Sequence, residues 1–381
     1  IRLRFEGQNE PSEKLYSAAW ALSENYYLTT RNKKLYLIDA FGNTELLYEI
    51  PNMYCLGPVP IKPRPKPPVV PSQSKPVTLV SDPSYHKVGD PHRVDLAAEG
   101  YKEKATVVLL DVYNSLYPFP EESKVKELRI IQILQKTTPV HQAPAIGYGA
   151  ETSARRVLGT VPVEEDGSAS FYLPPGKSVY FQALDEYGEA IQSMRSATYV
   201  QGNETITCIG CHEKKGQTPN PLKSRGLALG RLPSVIKPEA EGSNPFSFPI
   251  LVQPVLDKHC ISCHDGQMAT DHAFDLRKGA WKNDQYKWYT SYRNLHPYAW
   301  HHGSFKPGYD FWLSPRSVPG EVGAKASKLL PLLNSGHYDV KLDKEEMRRI
   351  VLWLDCNSDF LGSYENLDQQ AMGIVVQPTL E

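Results

Sequence analysis

Six cysteines stand in the sequence, and four of them fall in a repeated pattern: Cys208-Ile209-Gly210-Cys211-His212 and Cys260-Ile261-Ser262-Cys263-His264. Two thiols three positions apart, followed at once by an imidazole, suit covalent attachment of haem. The thiols reach the two vinyl groups on one porphyrin edge and form thioethers, while the next side chain comes up beneath the iron as its proximal ligand. Other chemistries fit less well. A four-cysteine zinc ribbon spaces its pairs about 15–20 residues apart, whereas forty-eight positions separate Cys211 from Cys260. A thioredoxin-like motif needs a βαβ setting that neither stretch shows, and a disulfide framework would not require His twice in the same place. The expectation is two covalently attached c-type haems, with His212 on the first iron and His264 on the second.

The second iron also needs a distal ligand. Met268 stands too close to the attachment site and Met347 falls on an apolar helix face, so a histidine is favoured over methionine. The choices are His272, His296, His301, His302 and His337. His337 is preferred, because Gly336 before it lets the backbone turn the ring inward shortly before a helix. Ligation by two histidines would make this an electron-transfer haem closed to substrate. For the first iron, residues 213–247 offer neither His nor Met. An open sixth position there, with small-ligand binding, and a ligand donated by His86, His92 or His141 are both compatible with the sequence. Cys55 and Cys356 stand alone, as buried thiols or as a disulfide with each other.

The elements that must position these groups are mainly strands. Residues 12–50 read as four strands, YSAAWAL, YYLTT, KLYLIDA and TELLYEI, punctuated by turn signals, the content of one β-propeller blade. One blade cannot bury its own faces, so further blades before Ile1, or a covering chain, are expected. Residues 51–76 are crowded with proline and read as an extended polyproline-like strap. Residues 77–245 return to strands, RVDLAA, ATVVLLDVY, VKELRIIQIL, RRVLGTVPVE, SASFYLP, SVYFQALDE and SATYVQ, spaced as in a β-sandwich rather than in βαβ units. Residues 246–381 form the last segment, a cytochrome c-like helical domain. Its clearest element is a helix over 344–355, capped by Asp343 with Glu346 three positions on, with Met347, Ile350, Val351 and Leu354 on one face. The expected class is mainly β with a small α domain.

Composition narrows the function. The chain of 381 residues carries 42 Lys plus Arg against 43 Asp plus Glu, which excludes a field-driven nucleic-acid binder. No run of eighteen apolar residues exists, so no transmembrane segment is expected. The opening IRLRFEGQNE has no apolar signal core. Since covalent haem attachment takes place outside the cytoplasm, a signal is expected ahead of Ile1 in a precursor, and the location is periplasmic or extracellular.

The runs GTVPVEEDGSASFYLP, VYFQALDEYGEAIQSMRS, TCIGCHE, FSFPILVQPVLDKHCISCHDG and GHYDVKLDKEEMRRIVLWLDCNSDFLGSY resemble the hydrazine synthase alpha subunit family. The resemblance implies a propeller, a middle β domain with one haem and a C-terminal cytochrome domain with another. It implies His264 and His337 as the two axial ligands of an electron-transfer haem, and Cys208 and Cys211 as tethers of the middle-domain haem. In the synthase that middle haem is the active centre, and a tyrosine a few residues past the motif binds its iron. Here Gly216 stands four positions past His212 and the first tyrosine after it is Tyr286, so that ligand set is not matched. The expectation is therefore an exported dihaem cytochrome passing electrons among redox partners or subunits of a complex. The alternatives are an enzyme acting on a small nitrogen compound at the first haem, and a docking subunit of a larger assembly.

Overall fold

The computed structural model describes residues 16–63, 104–138, 143–211, 226–267, 274–279, 286–301 and 317–379, apart from positions 32, 50–54, 56, 122, 150 and 151. The chain divides into two compact units, Ile1–Pro71 and Ser72–Glu381. Most of the proline strap, the RVDLAA stretch, and His86, His92, His141, His212, His272 and His302 lie outside the described residues.

In the first unit, β1 (Trp20–Ala21), β2 (Tyr26–Arg31), β3 (Lys34–Asp39) and β4 (Thr44–Glu49) form one antiparallel sheet in chain order, the up-and-down arrangement of a propeller blade. The β3–β4 turn forms because the Asp39 carboxylate accepts from the backbone N–H of Phe41 and Asn43 at 3.0 and 2.8 Å. Thr29, Thr30 and Tyr36 are buried. β4 is exposed along its whole length, as are Phe41 and Tyr48, so within this unit the sheet leaves apolar surface uncovered.

The second unit is layered. β5 (Ala105–Asp111), β6 (Glu127–Ile133), β7 (Arg155–Pro162), β8 (Ala169–Leu173), β9 (Val179–Leu184), β10 (Ala190–Ser193) and β11 (Thr205–Gly210) make two sheets, ordered β10-β9-β6-β7 and β11-β5-β8. The turn signals Asp166-Gly167 and Glu186-Tyr187-Gly188 join β7 to β8 and β9 to β10. Successive side chains of a strand point to opposite faces, and β6 shows what that does here. Leu128 and Ile130 enter the apolar layer between the sheets, with Val107, Phe171 and Ala183. Arg129 and Ile131 point the other way; Ile131 joins a second core shared with the helices.

Those helices are α1 (Phe248–Leu251), α2 (Gln253–His259), α3 (Thr290–Leu295), α4 (Gly323–Ala326), α5 (Leu329–Asn334), α6 (Lys344–Asp355) and α7 (Leu367–Ala371). The second core draws Ile131, Val157 and Tyr180 from the sheet and Phe248, Tyr292, Trp353 and Phe360 from the C-terminal part. The sandwich and the helical layer thus share one core across residue 245. α6 begins at the capping box read from the sequence: Asp343 accepts from Glu346 N at 2.9 Å, and Glu346 accepts from Asp343 N at 2.9 Å. Its buried Ile350, Val351 and Leu354 face the core, each stabilising the docking by about 1.5–3 kcal/mol.

Two strands differ from the expectation. Residues 196–201 make no strand beyond a bridge from Thr198 to Val179, on the stretch of the β9 edge that β10, paired only with Gln182–Leu184, leaves open. β11 was hidden in what reads as the start of a loop-rich stretch; it pairs in parallel with β5, Cys208 opposite Leu109.

Candidate haem-attachment sites

The second cysteine pair sits where α2 ends. Cys260 N donates to Leu256 O at 2.8 Å, and His264 N then donates to Cys260 O at 2.9 Å, so the chain turns tightly through both thiols and delivers the imidazole directly after them. Burial, with Cys263 alongside, pushes the Cys260 thiol up to about 11. The free Cys260 side chain is therefore a neutral thiol at pH 7. Glu346 secures this end of α2: its Oε1 accepts from Lys258 Nζ at 2.6 Å and lies 3.0 Å from His259 Nε2.

His337 lies on the loop after α5. Gly336 takes φ +79°, and Tyr338 and Asp339 follow at +45° and +63°. A left-handed run of this kind favours glycine at its start, and it turns the His337 ring toward His264. The two ring centres are 6.0 Å apart and the rings are parallel within 9°. Burial first, and then the nearby His337, hold the His264 imidazole below its ordinary value, which favours the neutral, ligating form.

This arrangement can be tested against an iron with two axial imidazoles. An imidazole nitrogen bonds a metal at about 2.0–2.1 Å and lies about 1.1 Å from its own ring centre, so two ligands on opposite sides of one ion put their ring centres about 6.2 Å apart. The observed 6.0 Å fits. Of the other histidine candidates, His296 and His301 turn to each other instead, Nε2 to Nε2 at 2.8 Å, and the His296 ring lies 3.8 Å from that of Tyr148. Among the described residues no group of three or more His, Cys, Asp or Glu converges as a metal cage.

The first cysteine pair belongs to the other core. Cys208 lies on β11 and Cys211 just beyond it, and both pack against the layer between the sheets, whereas Cys260 packs against the helical core. The pairs therefore do not form one four-sulfur site. Gly210 between them has a steric reason: a Cβ there would stand 1.8 Å from Asn114 O. Cys208 and Cys211 line a cavity of about 450 Å³ between the sheets, walled by Val107, Leu109, Leu128, Phe171, Phe181 and Met194. Such a pocket suits a flat apolar group held at one edge.

Cys356, just past α6, is wholly buried and unbridged, and burial pushes its thiol up to about 12; Cys55 is also unbridged. Sequence reasoning missed the charged cluster around Cys356. Arg129, fully buried on β6, donates to Asp355 Oδ2 at 2.8 Å, Gln182 Oε1 at 3.0 Å, Gly188 O at 3.0 Å and Glu239 Oε1 at 3.3 Å. Asp355, at the C-terminal end of α6 where the helix dipole disfavours a carboxylate, is raised by burial, and Arg129 opposes that rise. The guanidinium thus ties the central sheet to the helix that follows the His337 loop. An arginine inside a strand of alternating Leu, Ile and Gln was the available signal.

The fold is that of a β-sandwich carrying a helical layer, with one cysteine pair in each core. Residues 123–213 match the family model of the hydrazine synthase alpha subunit middle domain, and the chain is hydrazine synthase alpha-like over that domain. Among solved structures, Kuenenia stuttgartiensis hydrazine synthase is similar, with a TM-score of 0.56 at 18% identity over 91% of this chain and 55% of that one. This chain therefore spans about half the length of that relative. No curated protein matches it. Among the described residues no helix is long and apolar enough to cross a membrane.

Proposed function

We propose that the protein is an exported dihaem c-type cytochrome built on the hydrazine synthase alpha plan, passing electrons within a periplasmic or extracellular complex. The observation that carries this reading is the His264–His337 pair, 6.0 Å apart and parallel within 9°, with His264 directly after Cys260 and Cys263 in the chain. In it, Cys260 and Cys263 would tether one haem, and His264 and His337 would hold its iron. Cys208 and Cys211 tether the other at the apolar cavity, with His212 as the motif's own ligand. Bound there, the two haems supply one-electron redox chemistry. The chain's part is to hold the His264 imidazole in the neutral form and His337 opposite it, to close the second site to substrate, and to line the first with apolar walls.

A second reading has support of its own. The cavity beside Cys208 and Cys211 is large enough for a small ligand as well as a tether, which favours conversion of a small nitrogen compound at that site. The exposed apolar residues of β1–β4, Phe41 and Tyr48 among them, support contacts with further subunits or redox partners. Expression in a host that attaches haem, followed by intact mass and a pyridine haemochrome assay, tests the main reading. Two covalent haems per chain are expected, and a haem-free chain that retains zinc would overturn it. Carbon monoxide separates the two readings: a spectral shift at one reduced haem supports an enzyme, and no shift at either supports electron transfer alone.

A further inference from the structure

Residues 193–196, at the end of β10 and beyond it, are a wall common to two cavities. On one side lies the apolar cavity with Cys208 and Cys211. On the other lies a cavity of about 410 Å³ whose lining is of another kind, with Thr152, Ser153, Arg155, Tyr180, Arg195 and Asn357 among its residues. Two guanidinium groups and one carboxylate, that of Asp355, belong to this lining. The carboxylate is already filled: Oδ2 accepts from Arg129 Nη1 and Ala190 N, and Oδ1 accepts from Ala324 N at 2.9 Å. Its charge is balanced by Arg129, as that of Arg155 is by Asp359, so Arg195 gives the lining its excess of positive formal charge.

Tyr180 adds a directed donor. Arg155 donates Nη1 to Tyr180 Oη at 2.7 Å and Nη2 to Thr152 Oγ1 at 2.6 Å, and its Nε faces Asp359 at 2.8 Å. A hydroxyl that accepts from a guanidinium must direct its own proton elsewhere. Tyr180 is only 7% exposed, and among the described residues no acceptor receives that proton. Burial also raises Tyr180, so the phenol keeps its proton across the neutral range. A hydroxyl donor that lines the cavity and has no acceptor among the described side chains is available to a bound acceptor. The exposed Arg195 adds a positive charge to the lining of the same cavity.

We propose that this cavity binds a small oxyanion, with the Tyr180 hydroxyl as the buried donor and Arg195 as the charge that draws the anion in. Binding itself does not depend on haem; only the site's position one wall away from a haem rests on the function proposed above.

The test uses the full haem-loaded chain, with sulfate as the probe because it has little affinity for haem iron. Calorimetric titration should show one saturable site, weakened about tenfold or more in Tyr180→Phe and in Arg195→Gln, the scale of a charge-assisted hydrogen bond. Crystals soaked in selenate should show a selenium peak within hydrogen-bond distance of Tyr180 Oη. The exposed Arg195→Gln keeps the test meaningful if the buried variant folds poorly. No saturable sulfate binding by the folded wild type, unchanged binding in both variants, or water alone in the cavity would each overturn the proposal. Haem content measured on the same samples reports separately on the proposed function.

Discussion

Replacing Arg129 by methionine should destabilise the Ser72–Glu381 unit by about 3–5 kcal/mol, the cost of breaking a buried ion pair from one side. Methionine fills the volume of the Arg129 stem but removes four hydrogen bonds and one charge from a site with no solvent access. The loss falls unequally on the two carboxylates. Glu239 keeps Arg348, which holds it through two contacts of 2.8 and 2.9 Å, whereas Asp355 keeps only the backbone N–H groups of Ala190 and Ala324. Asp355, already raised by burial, must rise further without Arg129. A carboxyl whose folded value lies above its unfolded value contributes stability that is present below the unfolded value and lost as pH rises through the folded one. The deficit of Arg129→Met should therefore be largest at pH 8 and smaller at pH 5, and Arg129→Met with Asp355→Asn should recover part of it. Urea unfolding of the haem-loaded chain, followed by circular dichroism at both pH values, measures this. A deficit under about 1 kcal/mol at pH 8, the scale of a solvent-screened pair, or one that does not change with pH, would refute the reasoning.

Two further changes probe the attachment sites. Gly210→Ala places a Cβ 1.8 Å from Asn114 O, backbone against which no rotamer gives relief; haem per chain, by pyridine haemochrome, should fall from two toward one, because Cys260 packs in a separate core. Retention of two haems would contradict the steric account. Glu346 is held down to about 2, chiefly by Lys258 and then by the Asp343 N–H and His259. A lowered carboxyl contributes stability above its unfolded value and loses it as pH falls toward the folded one. The wild type should thus lose α2–α6 docking between about pH 4.5 and 2, and Glu346→Gln should show that smaller stability already at pH 7, by about 0.5–1 kcal/mol since the pair is solvent-screened. Equal midpoints for wild type and variant in urea at pH 7 would argue against it.

The parts of the chain that could be read directly were those whose cause is local. The capping box of α6 and the strand pattern along β5–β9 each need only a few neighbouring residues, and each has its counterpart in the structure. β11 escaped because Thr205–Gly210 becomes a strand through parallel pairing with β5, ninety-odd positions earlier, and not through its own pattern. α1, α2, α4 and α5 are too short to show a helical period. Their stability comes from the core they share with the outer face of β6, β7 and β9, and that sharing is also why the sandwich and the helical layer could not be recognised as one body from a change in composition. His337 was singled out by its glycine and its place before α6, but its approach to His264 depends on how α5 and α2 pack, which no local rule gives. The Arg129 cluster joins residues more than two hundred positions apart and leaves one visible trace, an arginine in an apolar strand.

The central claim is that His264 and His337 share one iron, and electron paramagnetic resonance of the oxidised chain at low temperature tests it most directly. Imidazole planes parallel within 9° should give a rhombic low-spin ferric signal in the wild type. In His337→Ala that signal should disappear and a high-spin one take its place, while the other haem's spectrum stays unchanged. A spectrum of His337→Ala identical to that of the wild type would contradict the account.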